Sequence, residues 1–299
     1  DGQTWLLYHC YDANNNYNGR LLLLDKITWT SDDWPVVNDG HPSSGEMDAP
    51  VFYSGNGANV TYKVRNADLS KSQWKGWTVS ASEDCTQGSG KGTAFFPYGY
   101  AQNGGTFDVS QTVSTGVTEG IYEMKVQGFD SEHSVEYYVG KVATPVYCPA
   151  DDGASSPALT NNLSTRFLTG KYAQSVYGYV TANNLTFGMR SRQPLGSTER
   201  FAVGNVNIIY RGRGAGTDPT ALASVLDSYY AMAESLASGD KPYYDGYNRT
   251  IASYKATAEG TDDISLRFTQ LQKINRTIDS IQTSIDVYAD LIEAVNDLQ

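Results

Sequence analysis

The residues in this 299-residue chain whose types and spacing suit chemistry are, first of all, aromatic. Phe95-Phe96-Pro97-Tyr98-Gly99-Tyr100 sets four rings around a proline and a glycine, the residues that hold a chain in a loop. Exposed rings of this kind stack on the faces of sugars while a few polar groups fix the orientation. Phe96, Tyr98 and Tyr100 are therefore the first candidates for gripping a glycan, followed by Tyr137, Tyr138 and Tyr147. The same rings also read as alternate core and edge-covering positions of a β-sandwich, and at this level both readings stand.

Acid–base chemistry has weaker footing. Asp130-Ser131-Glu132-His133 lines up carboxyls, a hydroxyl and an imidazole, but it directly follows a strand pattern and reads as a solvated turn. Asp12, Asp25, Asp32 and Asp33 fall in turns and at strand ends, where solvated or turn-capping roles are the ordinary ones. Cys10, Cys85 and Cys148 show no CxxC spacing, so no zinc site is expected, and an odd count leaves at least one free thiol. Cys85 and Cys148 either bridge or stay as separate buried thiols. The glycines of Arg211–Gly216 superficially resemble a phosphate loop, but no Lys-Ser/Thr and helix complete it.

The whole-chain balance narrows the partners. Net charge is −11, which argues against nucleic acid, whose phosphates need a basic footprint. Residues 1–54 carry 2 basic and 8 acidic groups, residues 55–214 carry 14 and 12, and residues 215–299 carry 6 and 13. The near-neutral, Tyr- and Gly-rich middle suits an uncharged ligand. No apolar run approaches the roughly 20 residues of a membrane span. Five N-x-Ser/Thr sequons occur in a chain rich in those residues, so no glycosylation is inferred from them.

Three segments must position these groups. In residues 1–54, Trp5–Tyr11 and Arg20–Asp25 read as a hairpin around a DANNNYNG loop, followed by Ile27–Val37 around an Asp32-Asp33 turn. A strand already under way by the fourth residue, with three of the five tryptophans nearby, leads us to expect that this piece belongs to a larger unit. Residues 55–214 carry short runs between Gly/Asn/Ser turns: Val60–Val64, Gly76–Ser80, Thr106–Val113, Gly120–Phe129, Ser175–Thr181, Leu185–Met189 and Asn205–Tyr210. Such spacing indicates an antiparallel sandwich. Alternation puts Ile121, Glu123 and Lys125 on one face and Tyr122, Met124 and Val126 on the other, while Asp151–Asn162 reads as a mobile loop. Residues 215–299 read as three helices. Asp218-Pro219 caps the first, the second spans about 243–258, and Thr261 or Asp262 caps the third. Ile264, Phe268, Leu271, Ile274, Ile278, Ile281, Ile285, Tyr288, Leu291 or Ile292, Val295 and Leu298 form a heptad seam, which would close a three-helix bundle or pair between chains.

Two resemblances add to this reading. Tyr8-His9-Cys10-Tyr11-Asp12, Gly19-Arg20, Leu23-Leu24-Asp25, Ile27-Thr28-Trp29 and Asp33-Trp34-Pro35-Val36-Val37 resemble the end of the last blade of family 43 glycoside hydrolases. Those enzymes are five-bladed β-propellers, many acting on arabinan or xylan. The match covers about an eighth of the chain, with Cys10 where a small residue is common and Asp33 where glycine is common. It implies an upstream propeller domain. It also implies that His9, matching the family's Tyr-His-x-Tyr histidine, helps hold a calcium ion or its water shell. Read alone, His9 is a hydrogen-bonded strand histidine, and calcium prefers hard oxygen ligands. The family's catalytic carboxylates sit on earlier blades, which nothing here matches. An inverting pair needs carboxyls roughly 6.5–9.5 Å apart.

In the middle segment, Gly76-Trp77-Thr78-Val79, Gly105–Val113, Gly120-Ile121-Tyr122, Gln127-Gly128-Phe129, Leu185–Met189 and Val206–Tyr210 together resemble galactose-binding-like jelly rolls appended to secreted glycan-degrading proteins of gut Bacteroidetes. The expectation is thus a mainly β chain: an end of a propeller blade and linker at 1–54, a carbohydrate-binding-like jelly roll at 55–214, and a three-helix bundle at 215–299. As a whole it reads as the non-catalytic C-terminal region of a secreted, periplasmic or cell-surface bacterial glycoside hydrolase that holds plant-type polysaccharide. A purely structural spacer is the alternative, and a self-contained hydrolase the third reading.

Overall fold

The computed structural model describes residues 4–11, 20–43, 45, 55–69, 74–90, 98–159, 163–239 and 244–298. The chain divides into two compact units, 1–54 and 55–299.

In the first unit, β1 (Thr4–Tyr11), β2 (Arg20–Trp29) and β3 (Pro35–Val37) form an antiparallel three-stranded sheet in that order. Tyr11 faces Arg20 at one end of the hairpin and Thr4 faces Ile27 at the other. The turn into β3 is tied by the Thr30 hydroxyl, which donates to Asp32 Oδ1 at 2.7 Å, with Asp33 in the left-handed region at φ 60°. Asp25 departs from the expected solvated role. It is buried, accepting from the Tyr8 hydroxyl at 2.6 Å and the Ser43 amide at 3.1 Å. That bond to Asp25 lifts the Tyr8 hydroxyl to about 12. Leu7, Leu22, Trp29 and Trp34 remain exposed.

The second unit is a β-sandwich carrying helices. One sheet has the order β10-β9-β12-β7-β4 and the other β11-β8-β13-β6-β5, all pairings antiparallel. The strands are β4 (Thr78–Ala81), β5 (Thr86–Gly90), β6 (Tyr98–Gln102), β7 (Phe107–Val113), β8 (Gly120–Asp130), β9 (Val135–Val139), β10 (Val142–Pro145), β11 (Ala173–Val180), β12 (Leu185–Ser191) and β13 (Arg200–Tyr210). Rings from both sheets meet in the core: Phe107 stacks on Phe201 at 5.5 Å, and Tyr137 meets Phe201 edge-on at 6.1 Å.

Two local expectations are corrected. Val60–Val64 is not a strand, because the Asn59 side chain accepts from the Thr61 amide at 2.9 Å and tightens the chain into a 3-10 turn, Thr61–Lys63. In β8 the two faces do not separate into buried and polar. Ile121, Tyr122, Glu123 and Met124 are all buried and Lys125 alone of the six is exposed, since helix α2 (Pro219–Ala237) lies against the strand's outer side. Glu123 is paired there with Arg211, whose Nε donates at 2.9 Å, and accepts a hydrogen bond from the Ser175 hydroxyl.

A short helix α1 (Leu163–Leu168) precedes β11, in a stretch where no helix is expected. The three C-terminal helices are α2, α3 (Tyr247–Glu259) and α4 (Ile264–Asn296). Asp218 caps α2 as expected, accepting from Thr220 and Ala221 amides at 3.0 Å. Asp263, not Thr261 or Asp262, caps α4, accepting from Ser265 at 2.8 Å. The helices are anchored on the sandwich: Tyr179 of β11 packs edge-on against Tyr229 and Phe268, and Lys141 donates to Asn275 Oδ1 at 2.8 Å and pairs with Asp279. The seam of α4 is buried only as far as Ile285; every described residue from Asp286 onward is exposed.

Candidate functional site

The aromatic candidates come apart. Phe96 lies outside the described residues, and of Tyr98 only the backbone pairing to Gly90 at the start of β6 is described. Tyr137 and Tyr138 are corrected. Tyr137 is fully buried between the sheets. Tyr138 is buried on the opposite side of β9, where the Arg190 guanidinium covers its ring at 4.8 Å and its hydroxyl donates to Asp108 at 2.8 Å. Neighbouring strand positions face opposite ways; here both faces are covered, so neither ring is offered to a sugar.

Tyr100 is half-buried. It shares a cross-strand row with Gly88, Ala202 and Phe129 and packs against the buried cluster that holds Phe167 and Tyr172, as Tyr147 also does. Gly88 and Ala202 are small, which leaves room for the flanking rings. Tyr147 donates to Asp152 at 2.6 Å, a bond that raises its own hydroxyl to about 12.

A second place satisfies the sugar-site criteria better. Tyr62, on the 3-10 turn, is 61% exposed, and Lys63 Nζ lies 5.1 Å from its ring centroid. Beside it an open polar cleft of about 290 Å³ is lined by Lys63, Arg65, Thr78, Gln111, Thr112 and Thr115. Gln111 of β7 organises the cleft: its Oε1 accepts from the Arg65 amide at 3.0 Å and its Nε2 donates to the Arg65 carbonyl at 2.7 Å. Gly76, at φ +92°, lets Arg65 approach, since a Cβ there would lie 2.9 Å from Arg65 Cβ. Among the described residues neither Lys63 nor Arg65 forms an ion pair. Strand periodicity hides this site because it places Tyr62 and Lys63 on opposite faces. The Asn59-Val60-Thr61 turn signal was the clue.

The chemistry-bearing run Asp130–His133 also differs from expectation. Ser131–His133 do form a turn, but Asp130 is buried with Glu199. Asp130 Oδ2 accepts from the Val135 amide at 2.8 Å, and Glu199 Oε2 accepts from the Ser134 hydroxyl at 2.9 Å and the Gly196 amide at 2.7 Å. Burial, then the hydrogen bond with Glu199, pushes the Asp130 carboxyl up to about 7. Sealed from solvent, the pair clamps two turns and reaches no substrate.

Cys85 and Cys148 are separate free thiols, both buried. Among the described residues one group of three metal-ligating side chains occurs, His133, Cys148 and Asp151, and His9 is not part of it. With one oxygen donor in three, that group does not fit calcium.

Comparisons with protein-family models and with curated proteins give no match. Solved structures similar to part of the chain include a CBM61 module in complex with beta-1,4-galactotriose, at 10% identity and TM-score 0.33 over 50% of this chain and 97% of that one. A CBM22-1 xylan-binding domain from Paenibacillus barcinonensis aligns at 9% identity and TM-score 0.31 over 54% and 100% of the two chains. A putative sugar binding protein from Bacteroides thetaiotaomicron aligns at 10% identity and TM-score 0.27 over 49% and 98%.

Proposed function

We propose that the sandwich is a non-catalytic carbohydrate-binding module that holds plant-type glycan, arabinan or xylan, in the cleft beside Tyr62. The observation that carries this reading is an exposed ring, Tyr62, next to an open cleft lined by the Arg65 and Lys63 side chains. A ring supplies a stacking face and fixed donors meet hydroxyls, the combination a sugar needs. The cations also suit glycans bearing carboxylate substituents.

In the same reading the chain is the C-terminal region of a secreted bacterial glycoside hydrolase. The three-stranded sheet of residues 4–37 would complete the last blade of an upstream propeller, with Leu7, Leu22, Trp29 and Trp34 the rings and side chains that such a neighbour would cover. A calcium ion near His9 would draw its oxygen ligands from that neighbour. The module would keep the enzyme near its polysaccharide by raising effective concentration.

Affinity electrophoresis in arabinan- and xylan-containing gels tests the binding site. The full chain should be retarded by at least one polymer. Tyr62→Ala should weaken retardation by up to about tenfold, the stacking contribution converted to affinity, and Arg65→Ala should weaken it further. An unretarded, folded chain would leave the spacer reading in its place.

A further inference from the structure

We propose that His133, Cys148 and Asp151 form a binding site for a zinc-like divalent cation at one end of the sandwich. The three residues come from two turns on either side of the β9–β10 hairpin. His133 lies in the turn between β8 and β9, held at φ +68°. Cys148 precedes the 3-10 turn Pro149–Asp152 and Asp151 lies within it. Backbone bonds lace these turns together: Asp130 N donates to Tyr147 O at 2.9 Å, Val146 N to Val135 O at 3.0 Å, and Asp151 N to Cys148 O at 3.1 Å.

The side chains converge. His133 Nε2 lies 3.2 Å from Asp151 Oδ1, and all three ligand atoms lie within 4.8 Å of one another. A tetrahedral zinc ion, with bonds of about 2.0–2.2 Å to nitrogen and oxygen and about 2.3 Å to sulfur, sets its ligand atoms roughly 3.3–3.6 Å apart. The His–Asp separation is already that of two ligands on one ion, and small side-chain rotations bring the sulfur into place. The donor set names the metal class. One imidazole, one thiolate and one carboxylate suit zinc, cobalt or nickel and exclude calcium and magnesium, which take oxygen ligands.

The site also has access and support. The His133 and Asp151 side chains are 50% and 60% exposed, so an ion reaches the site from solvent, whereas Cys148 closes its floor. The Cys148 thiol now donates to the Ser131 carbonyl at 3.5 Å; on metal binding that proton leaves to solvent and the sulfur turns to the ion. The His133 turn is braced from below, where Ser134 donates to the buried Glu199 and Arg192 donates to the His133 carbonyl. Three protein ligands leave the fourth position to water. The ion would fasten the two turns together.

Cobalt titration of the full chain, reduced and freed of metal by chelator, reads the site directly. The expected result is a thiolate-to-cobalt charge-transfer band with the intense visible bands of four-coordinate cobalt, saturating at one equivalent and abolished by zinc. Cys148→Ser should remove the charge-transfer band. Because Cys148 is buried and its variant can misfold, the exposed His133→Ala provides the second arm, weakening cobalt binding by at least about tenfold with circular dichroism unchanged. Absence of the charge-transfer band in the native chain, or its persistence at full strength in His133→Ala, overturns the proposal and leaves His133–Asp151 an ordinary surface pair.

Discussion

At the scale of single residues, Asp130 makes the sharpest claim. Its carboxyl titrates near 3.8 when unfolded and about 7 when folded. Below about pH 4 both states hold the proton and its full contribution to stability is present. Between about 4 and 7 only the folded state keeps the proton, so that contribution drains away as pH rises and is gone above 7. The urea midpoint of the native chain should therefore fall, relative to Asp130→Asn, as pH is raised from 4.5 to 8. A constant difference between the two proteins across that range would refute the assignment. None of this was legible in the sequence. Asp130 heads a polar run that looks solvated, and its partner Glu199 lies 69 positions on, brought alongside only by the pairing of β8 with β13. The same applies to Tyr137 and Tyr138: residue type marks them as able to bind sugar, but only packing shows that Phe201 and Arg190 already occupy their faces.

At the scale of elements, legibility follows how local the signal is. The cap at Asp218 depends on residues within one turn and was readable in full. The runs Thr106–Val113, Gly120–Phe129 and Leu185–Met189 were readable from their spacing between turn signals, whereas Thr86–Gly90 and Val142–Pro145 were not, being held in their sheets by neighbours rather than by apolar content of their own. The seam of α4 shows both sides of this. Its heptad spacing continues to Leu298, yet burial stops after Ile285, because periodicity states which face is apolar and not how far a partner extends. Ending the chain after Asp286 should leave the urea midpoint almost unmoved. Ile274→Ala, inside the buried stretch, should cost about 2–5 kcal/mol. Urea denaturation of the two variants separates these, and comparable losses would mean that the outer turns of α4 are packed in solution.

At the scale of the whole molecule, the sandwich and the C-terminal helices lie in one compact unit, residues 55–299. Tyr229 is one of the rivets between them. Its ring is buried against Tyr179 and its hydroxyl donates to the Tyr179 carbonyl at 3.4 Å. Tyr229→Ala should accordingly raise amide exchange in β11 as well as in α2 and α4, measured by hydrogen–deuterium exchange. Loosening confined to the helices would show that the two layers unfold independently. The strand that Tyr229 touches is also the last of its sheet, as β10 is of the other, and α2 lies against both. A terminal strand exposes unpaired amides and carbonyls that invite another chain to add itself, and proteins commonly blunt that hazard by laying a helix across it. Laid against both border strands, α2 is placed to keep this Tyr- and Val-rich edge from pairing with another chain, a consequence that no ligand assay would reveal. Its loss should be felt first as turbidity on storage rather than as weakened binding.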